Sequence, residues 1–365
     1  MRHVVYDEQI FAVQTHGGIS RYLCEIAARV ASRGEMDVTV LAPLYVNSYL
    51  RDYTGVSSMR RVGIFVPKLP KTGRIIRFVS SALARPMMSR LCPTVIHQTY
   101  YAPVHNSRAA RVVVTVHDMI HEMLPEFIND SAFREQKHSA IRRADHVICV
   151  SENTKRDLLR FVNMDPAKIS VIHHGATALN PAPLTIATPE PYLLFVGPRR
   201  GYKNFDQLLV AYASSTLLRE NFRLTCFGGG AFSRFERARM AQLGLPPGRV
   251  IHVAGDDAAL AGYYANAAVF IYPSLYEGFG IPILEAMTCG CPVACSNRSS
   301  FPEVAGSAAS FFDPESIESI ASTVEMLVSS EESRTALIEA GRRRAEAFTW
   351  ERCAVETEKV YRSLK

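Results

Sequence analysis

Short apolar runs alternate with amphipathic segments along almost the whole chain. Apolar runs typical of buried strands occupy 2–6, 37–42, 94–98, 111–117, 146–150 and 169–173, and then 192–197, 223–228, 250–254, 269–273, 292–296 and 309–312. The segments between them have helical spacing: Ile19, Tyr22, Ile26 and Val30 recur on one helical face, and Gly34 ends that pattern. Buried strands separated by helices predict doubly wound parallel sheets.

A proline-rich stretch divides this alternation into two sets of strands. We predict a linker at 177–191, between an N-terminal domain at 1–176 and a C-terminal domain at 192–349. A length of 365 residues is also typical of two domains. The sequence therefore predicts an α/β protein in which two Rossmann-like domains face each other across a cleft. Ligands of such sheets bind at the carboxyl ends of the strands.

Composition favours a cytoplasmic protein with two hydrophobic cores. Hydrophobic residues make up 48% of the chain, yet no apolar run is long enough to cross a bilayer. Asp7 and Glu8 interrupt the first apolar run, so we expect no signal peptide. The 8 cysteines are scattered without a CxxC pair, and Cys289 and Cys291 are expected to pack rather than to bind metal. This pattern disfavours disulfide-rich and membrane-spanning classes.

Positive charge is concentrated in the first half of the chain. Residues 1–180 carry a net charge of +8, whereas the remainder carries −2. Within the first half, residues 68–91 combine basic and apolar side chains with no acidic one. This stretch fits either an amphipathic helix packed on the sheet with its arginines in solvent, or a surface for an anionic membrane or an anionic acceptor. Nucleic acid is disfavoured as a partner, and Pro86 argues against a single long helix.

Two glutamates eight positions apart, Glu277 and Glu285, carry the most specific chemical signal. Pro282 is typical of the first position of a helix, which places Glu277 in the preceding loop and Glu285 in the first turn. The N–H groups at the start of such a helix favour a phosphate. Each carboxylate can then accept hydrogen bonds from a pair of vicinal hydroxyls. A nucleotide-diphosphate sugar offers such hydroxyls at both ends, on its ribose and on its sugar.

The segment around these glutamates resembles the donor-site signature of retaining GT-B glycosyltransferases, in particular those of family four. The resemblance continues through GGISRY (17–22), HQTYY (97–101), VTVHDMIHEMLPE (114–126), VSENTKRDL (150–158), FVGPRRGYKN (195–204) and PEVAG (302–306). Together and in this order, these segments are specific for the family and say little about the individual sugar. The resemblance implies that the N-terminal domain is the acceptor side and that the C-terminal domain binds the nucleotide sugar. It further implies that the last helical segment, 350–365, crosses back to the N-terminal domain. It also implies donor contacts between the two glutamates, at Gly278, Phe279, Gly280 and Ile281.

Basic residues follow the predicted strand at 192–197. Arg199 and Lys203 could neutralise a diphosphate leaving group, and the resemblance supports this role because the family has a glycine, an arginine and a lysine-asparagine pair in this loop. Arg200 and Tyr202 depart from the family pattern. Either Arg199 or Arg200 could therefore face the phosphate.

Two further features lie in the predicted N-terminal domain. Gly17 and Gly18 precede a helix, where missing side chains let the backbone approach the donor phosphate or the acceptor. His117 ends a predicted strand, and the resemblance places it beside the reacting sugar, where a neutral imidazole could hydrogen-bond a donor hydroxyl. Asp118 is adjacent, and consecutive strand residues face opposite ways, so at most one of the two points directly into the cleft. We interpret as structural or loop residues His121, His173 and His174.

No metal and no other cofactor is expected. Asp256 and Asp257 form an adjacent acidic pair, but we interpret the pair as a helix N-cap. Arg199, Lys203 and the helix dipole would supply the charge that a metal supplies to a diphosphate. Glycines 228–230 lack the G-x-G-x-x-G continuation, which disfavours a dinucleotide-dependent dehydrogenase.

The resulting hypothesis is a retaining glycosyltransferase of surface polysaccharide synthesis. It would move a sugar from a nucleotide-diphosphate sugar to a hydroxyl of a glycan or lipid-linked acceptor, with Glu277 on the sugar and Glu285 on the ribose. The family resemblance favours front-face substitution over a carboxylate nucleophile and a GDP-mannose-type donor over others. A nucleotide-sugar epimerase or hydrolase on the same fold, and a catalytically idle subunit, remain as alternatives. A peripheral position on the inner face of the cytoplasmic membrane would follow if 68–91 binds lipid.

Overall fold

The computed structural model describes residues 1–52, 58–103, 110–177 and 190–364. They form two compact units: Met1–Gly175 together with the helix that begins at Trp350, and Ala176–Thr349. The predicted linker at 177–191 lies mostly outside the described residues.

The first unit is built around a parallel sheet with the strand order β3-β2-β1-β4-β5-β6-β7. Its strands are β1 (Arg2–Tyr6), β2 (Met36–Tyr45), β3 (Met59–Phe65), β4 (Val95–Gln98), β5 (Arg111–Val116), β6 (His146–Cys149) and β7 (Ile169–Val171). The helices between them are α1 (Gly18–Ser32), α2 (Ser48–Asp52), α3 (Gly73–Leu91), α4 (Ile120–Met123), α5 (Ser131–Arg143) and α6 (Glu152–Phe161). A short 3₁₀ helix covers Pro166–Lys168.

The second unit repeats this plan, with a parallel sheet in the order β10-β9-β8-β11-β12-β13. Its strands are β8 (Tyr192–Val196), β9 (Arg223–Phe227), β10 (Val250–Val253), β11 (Val269–Tyr272), β12 (Val293–Ser296) and β13 (Ser310–Phe312). Its helices are α7 (Phe205–Ser214), α8 (Thr216–Asn221), α9 (Arg234–Gln242), α10 (Asp257–Asn266), α11 (Ile281–Thr288), α12 (Phe301–Ala305), α13 (Ile317–Ser329) and α14 (Glu331–Ala345). Gly201–Lys203 forms a 3₁₀ turn.

The last helix, α15 (Trp350–Ser363), belongs to the first unit. It packs on α1 and joins the core of that unit. The Tyr361 hydroxyl lies 2.8 Å from the Tyr6 hydroxyl in this core, and Arg33 Nε donates to Glu358 at 2.6 Å nearer the surface. The C-terminal segment is thus held by both apolar and polar contacts.

Each sheet has one point where the strand order reverses direction. In the first unit this topological switch point lies between β1 and β4, and in the second it lies between β8 and β11. The crevice outside the carboxyl ends of two such strands is the usual ligand site of an open parallel sheet. The loops that follow these four strands are therefore the first places to look for function.

The structure confirms the predicted α/β class with two Rossmann-like sheets, and each predicted apolar run contains a strand. The edge strand β3 was not predicted. None of its residues is fully buried, and its second and third residues are the exposed Arg60 and Arg61, so it lacks the continuous apolar run of a strand buried on both faces.

The expectation that Pro86 breaks the helix in 68–91 is wrong, because α3 runs through it. Pro86 and Ala82, whose carbonyl loses its helical partner, both lie on the exposed face, where water can satisfy that carbonyl. The opposite face packs on the sheet through buried Ile76, Ala84 and Met88. Among the described residues, no helix has the length and apolar character needed to span a membrane.

Candidate functional site

The loops after β8 and β11 bring Lys203 and Glu277 together in the second unit. The β8 loop ends in the 3₁₀ turn, where Asn204 adopts a left-handed φ of 57° and its side chain donates to Pro273 O at 3.2 Å and Pro314 O at 2.7 Å. Leu275 N in the β11 loop also donates to Tyr202 O at 2.8 Å. These bonds join two loops that are distant in sequence but adjacent at the switch point.

Lys203 and Glu277 form an ion pair with 2.6 Å between Nζ and Oε1. Lys203 Nζ also lies 3.2 Å from the Tyr272 hydroxyl and 5.2 Å from the centre of that ring. Burial raises the pKa of Tyr272, and the neighbouring Glu277 charge raises it further, so the phenol stays protonated. Lys203 and Glu277 have side-chain exposures of 12% and 13%, so a ligand can reach both charges while water screens them only in part.

Two serines and a glycine shape the loop that carries Glu277. Ser299 Oγ accepts from Glu277 N at 3.2 Å, and Ser300 Oγ donates to Glu277 O at 3.0 Å and to Phe279 O at 2.9 Å. Gly280 caps α11 with a left-handed φ of 100°, where a Cβ would also come within 3.2 Å of the Phe301 ring. The loop therefore has a defined shape that needs glycine at this position.

Helix α11 starts one residue earlier than predicted. Its first residue is Ile281 and Pro282 is the second, so Glu285 is the fifth residue and lies beyond the first turn. Glu285 is 9% exposed. Burial raises the pKa of Tyr264, and the charge of Glu285 raises it further, which places this carboxylate beside that phenol. The sequence was correct in placing Glu277 in the loop and wrong about the turn that holds Glu285.

The side chain of Arg199 is turned into the protein. Its Nε donates to Glu236 Oε1 at 2.7 Å, while Nη1 and Nη2 donate to the carbonyls of Gly228 and Gly230 at 2.9 and 2.7 Å. Its side chain is 2% exposed. Within the described residues, no hydrogen bond or ion pair joins Arg199 to Lys203 or Glu277.

Arg199 therefore supports the glycine turn after β9. Gly228, Gly229 and Gly230 all have positive φ, and a Cβ on Gly229 would lie 2.7 Å from Gly197 O. Arg200 is exposed, and its side chain makes no hydrogen bond or ion pair in the part of the chain that the structure describes. Of the two arginines, Arg200 is the one with an available guanidinium.

His117 lies directly after β5 in the first unit. Its ring stacks on that of His174 with 5.6 Å between centroids and 6° between planes, and Tyr22 packs edge-on against both. Burial lowers the pKa of His117 to about 4, so the imidazole is neutral at physiological pH. Sequence reasoning interpreted His174 as a structural or loop residue and missed this stacking, because the two histidines are far apart in the chain.

A buried charge cluster lies next to His117. Lys137 and Glu122, both with side chains 1% exposed, pair at 2.8 Å, and Lys137 Nζ lies 4.0 Å from Asp118 Oδ1. His138 Nε2 adds a contact to Glu122 at 3.1 Å. The sequence gave no indication of this cluster, because Lys137 lies in a segment with the common amphipathic pattern of a surface helix.

The remaining predicted positions have simpler surroundings. A Cβ at Gly18 would meet nothing within 4 Å, and at Gly17 it would meet the flexible end of Gln14. There is therefore open space beside Gly18, whereas a side chain at Gly17 would have to displace Gln14. The predicted cap at Asp256 is confirmed, since its side chain accepts from Ala259 N at 2.9 Å. All eight cysteines are free thiols.

Two family descriptions match the chain and together cover most of it. "Glycosyltransferase Family 4" matches residues 16–177, and "Glycosyl transferases group 1" matches residues 177–344. The chain is similar to the O-antigen chain mannosyltransferase B of Escherichia coli, with 30% identity over 281 residues, which are 73% of each protein.

Solved structures show the same fold at low sequence identity. WaaG, a glycosyltransferase involved in lipopolysaccharide biosynthesis, superposes with a TM-score of 0.72 at 18% identity, over 99% of both chains. HepE from Anabaena, in complex with UDP and glucose, superposes with a TM-score of 0.76 at 16% identity, over 100% of both chains. Both neighbours place this chain in the same two-domain fold class.

Proposed function

The chain belongs to the family 4 glycosyltransferases, and on this premise we propose that it transfers a sugar from a nucleotide-diphosphate sugar to a hydroxyl of a glycan or lipid-linked acceptor, with retention of anomeric configuration. The observation that carries the proposal is the Lys203–Glu277 ion pair at the switch point of the second sheet. The bond that breaks during transfer joins a sugar to a phosphate. A cation and a carboxylate held this close can bind its two sides, with the cation on the phosphate and the carboxylate on the sugar hydroxyls.

The proposed roles follow from charge and exposure. Lys203 stabilises the negative charge that develops on the departing diphosphate, together with the N-terminus of α11. Glu277 accepts hydrogen bonds from the sugar hydroxyls, and the buried Glu285 accepts from the ribose diol. Arg199 stabilises the glycine turn after β9 by hydrogen bonds to its carbonyls, and its buried guanidinium adds positive charge to the site.

His117 is proposed to hydrogen-bond a sugar hydroxyl. Its neutral state supports this role, because a neutral imidazole offers both one donor and one acceptor. Stacking on His174 restricts the orientation of the ring. Gly17 and Gly18 are proposed to let the backbone at the start of α1 approach the substrate.

Front-face substitution is the proposed route to retention. A retaining glycosidase needs a carboxylate that is available as a nucleophile. The Glu277 carboxylate is instead engaged by Lys203, which suits it to holding hydroxyls rather than attacking carbon. In this route the departing diphosphate accepts the proton of the acceptor hydroxyl.

We propose that transfer requires no metal, because Lys203 and the α11 N-terminus supply the positive charge that the leaving group needs. Turnover should then be unaffected by EDTA. Loss of activity in EDTA with recovery on adding magnesium or manganese would reject this part of the proposal.

A mannosyl donor carried on GDP is the favoured substrate, and similarity to an O-antigen mannosyltransferase supports it. The HepE structure holds UDP, which makes a uridine nucleotide the competing choice. A thermal-shift panel of GDP, UDP, ADP and dTDP separates them, because a ligand at a hundred times its Kd stabilises the folded state by roughly 2.7 kcal/mol. GDP should give the largest shift, and no shift with any of the four would contradict a nucleotide-sugar donor.

We also propose that the outward face of α3 contacts an anionic membrane. Ile75 is 65% exposed and Leu83 is 45% exposed, and basic residues flank them along the helix. Apolar side chains bordered by arginines suit the boundary between lipid headgroups and acyl chains. Such contact would bring the enzyme to a lipid-linked acceptor.

A further inference from the structure

A cavity of about 780 Å³ lies at the switch point of the first sheet. Its lining comes from the loop after β1, the loop after β4, one side of α3 and the start of α5. Its volume falls within the range of small-molecule sites, roughly 300 to 1,000 Å³. None of the donor-site residues described above for the second unit contributes to it.

Hydrogen bonds fix the floor of this cavity. Asp7 accepts from Thr99 N at 2.9 Å and from Gln9 Nε2 at 2.8 Å. Gln9 also pairs with the backbone of Ala102, with Nε2 to Ala102 O at 3.0 Å and Ala102 N to Oε1 at 2.7 Å. The loops after β1 and β4 are thereby locked to each other, so the cavity has a preformed shape.

One side of the cavity has the character of a sugar site. Tyr100 and Phe133 line it with ring centroids 5.6 Å apart, and aromatic faces of this kind pack against the C–H surface of a sugar ring. Glu8 and Ser81 add polar atoms for hydroxyl groups. Glu8 is 7% exposed, and burial together with the nearby Asp7 charge raises its pKa to about 7, so it can both donate and accept hydrogen bonds near neutral pH.

The α3 side of the cavity is cationic. Arg74 and Arg77 line it, and they also line an adjoining cavity of about 470 Å³ that Lys68 and Lys71 complete. Neither guanidinium makes a hydrogen bond or an ion pair within the described residues. Glu8 and Asp130 are acidic residues that line the same cavity, and neither forms an ion pair with Arg74 or Arg77. Two guanidinium groups without a partner beside a preformed cavity are suited to a phosphate group.

We propose that this cavity is the acceptor site, and that the acceptor is a glycan joined to a lipid through a phosphate. The inference rests on the proposed function and specifies its acceptor. The sugar lies against Tyr100 and Phe133, and the phosphate binds Arg74 and Arg77. The lipid leaves along α3 past Ile75, which is exposed on the next position of the same helix.

The test uses decyl diphosphate, which carries the diphosphate and a short lipid but neither a sugar nor a bilayer. The full chain is titrated with it by calorimetry, below its micellar concentration and with the nucleotide site filled by the nucleoside diphosphate that stabilises the chain most. Binding is compared for the parent, for the double variant Arg74→Gln/Arg77→Gln, and for the control Arg90→Gln, which changes an exposed arginine of α3 outside both cavities. Inorganic diphosphate and phosphatidylglycerol vesicles form two further arms.

The parent should bind decyl diphosphate more tightly than inorganic diphosphate. The double variant should lose roughly tenfold or more in affinity, as expected for charge-assisted hydrogen bonds, while Arg90→Gln should bind like the parent. The nucleotide titration is separate, so a failure of the donor assignment is distinguishable from a failure of the acceptor assignment.

Two results would overturn the proposal. Equal affinity in the parent and the double variant would show that the arginines do not hold the phosphate. Binding to vesicles with none to monomeric decyl diphosphate would identify α3 as a bilayer contact only. Circular dichroism and thermal melting of each variant establish that it is folded before it is compared.

Discussion

Lys203 and Glu277, separated by 74 positions in sequence, form a 2.6 Å ion pair that belongs to two loops on either side of a topological switch point. Neither side chain is fully buried, and the Tyr272 hydroxyl completes the contact. The two charges satisfy each other. A bound nucleotide sugar would exchange this pairing for contacts of its own, with phosphate on the cation and hydroxyls on the carboxylate.

The pair should behave as one unit in catalysis. Lys203→Ala and Glu277→Ala are each expected to lower turnover by on the order of 10² to 10³, the usual effect of losing one electrostatic stabiliser. Because each change also leaves the other charge without its partner, the double variant should lose much less than the product of the two single losses. Steady-state kinetics of the four proteins measure this coupling. Independent, multiplicative losses would show that the two residues act at separate points.

Glu285 should affect a different step from Glu277. A contact to the ribose is made equally in the ground state and the transition state, so Glu285→Gln should weaken nucleotide binding with little change in kcat. Glu277→Gln should mainly lower kcat, since contacts to the reacting sugar strengthen in the transition state. Nucleotide titrations and initial rates on both variants provide the comparison. Small and equal losses of nucleotide affinity with unchanged kcat in both would contradict the assignment of the two carboxylates.

Arg199 is expected to matter for stability as well as for turnover. Arg199→Ala removes three hydrogen bonds and leaves two glycine carbonyls without their side-chain donor, while the Glu236 carboxylate keeps its bond from Ser233 N. Breaking a buried pair of this kind lowers the free energy of unfolding by about 3 to 5 kcal/mol. Arg200→Ala is the matched control, because Arg200 is exposed, and it should leave the urea midpoint unchanged. Equal midpoints for the two variants would mean that the glycine turn does not depend on Arg199.

The fold was largely predictable because most strands are buried on both faces. Such strands are near-continuous apolar runs, as in β8 and β11, and the run itself marks the element. The edge strand β3 meets solvent, so it has no such signal. Pro86 was misjudged for a related reason: a sequence pattern does not show whether the carbonyl that a proline leaves unpaired faces water or protein.

The sequence predicted those features of the candidate site that depend on residues close together in the chain. It did not predict those that depend on packing between residues far apart in the chain. The loop position of Glu277 follows from the glycines and the proline near it. Its pairing with Lys203 depends on β8 and β11 being neighbours, which strand order alone reveals. The inward turn of Arg199 and the stacking of His174 on His117 depend on contacts across the fold, so the residue types gave no indication of them.

The outward face of α3 should bind anionic vesicles. Each basic residue near such a surface contributes on the order of 1 kcal/mol, and salt screens the attraction. The variant Ile75→Ser/Leu83→Ser/Arg90→Gln should sediment less with phosphatidylglycerol vesicles than the parent, while its turnover with a short, lipid-free acceptor stays unchanged. Phe161→Ser, which removes a similarly exposed side chain from α6, is the control. If the parent shows no salt-sensitive vesicle binding, this face is solvated surface.

The chain is proposed to form a glycosidic bond with retention of anomeric configuration. The direct test is proton NMR of the product made from the nucleotide sugar whose nucleoside diphosphate stabilises the chain most, with a mannoside acceptor and separately with water alone. A retaining transferase should give a new glycosidic bond with the anomeric configuration of the donor, formed in equal amount with released nucleoside diphosphate. A product of inverted configuration, or free sugar or an isomerised donor formed equally well without the acceptor, would contradict this proposal.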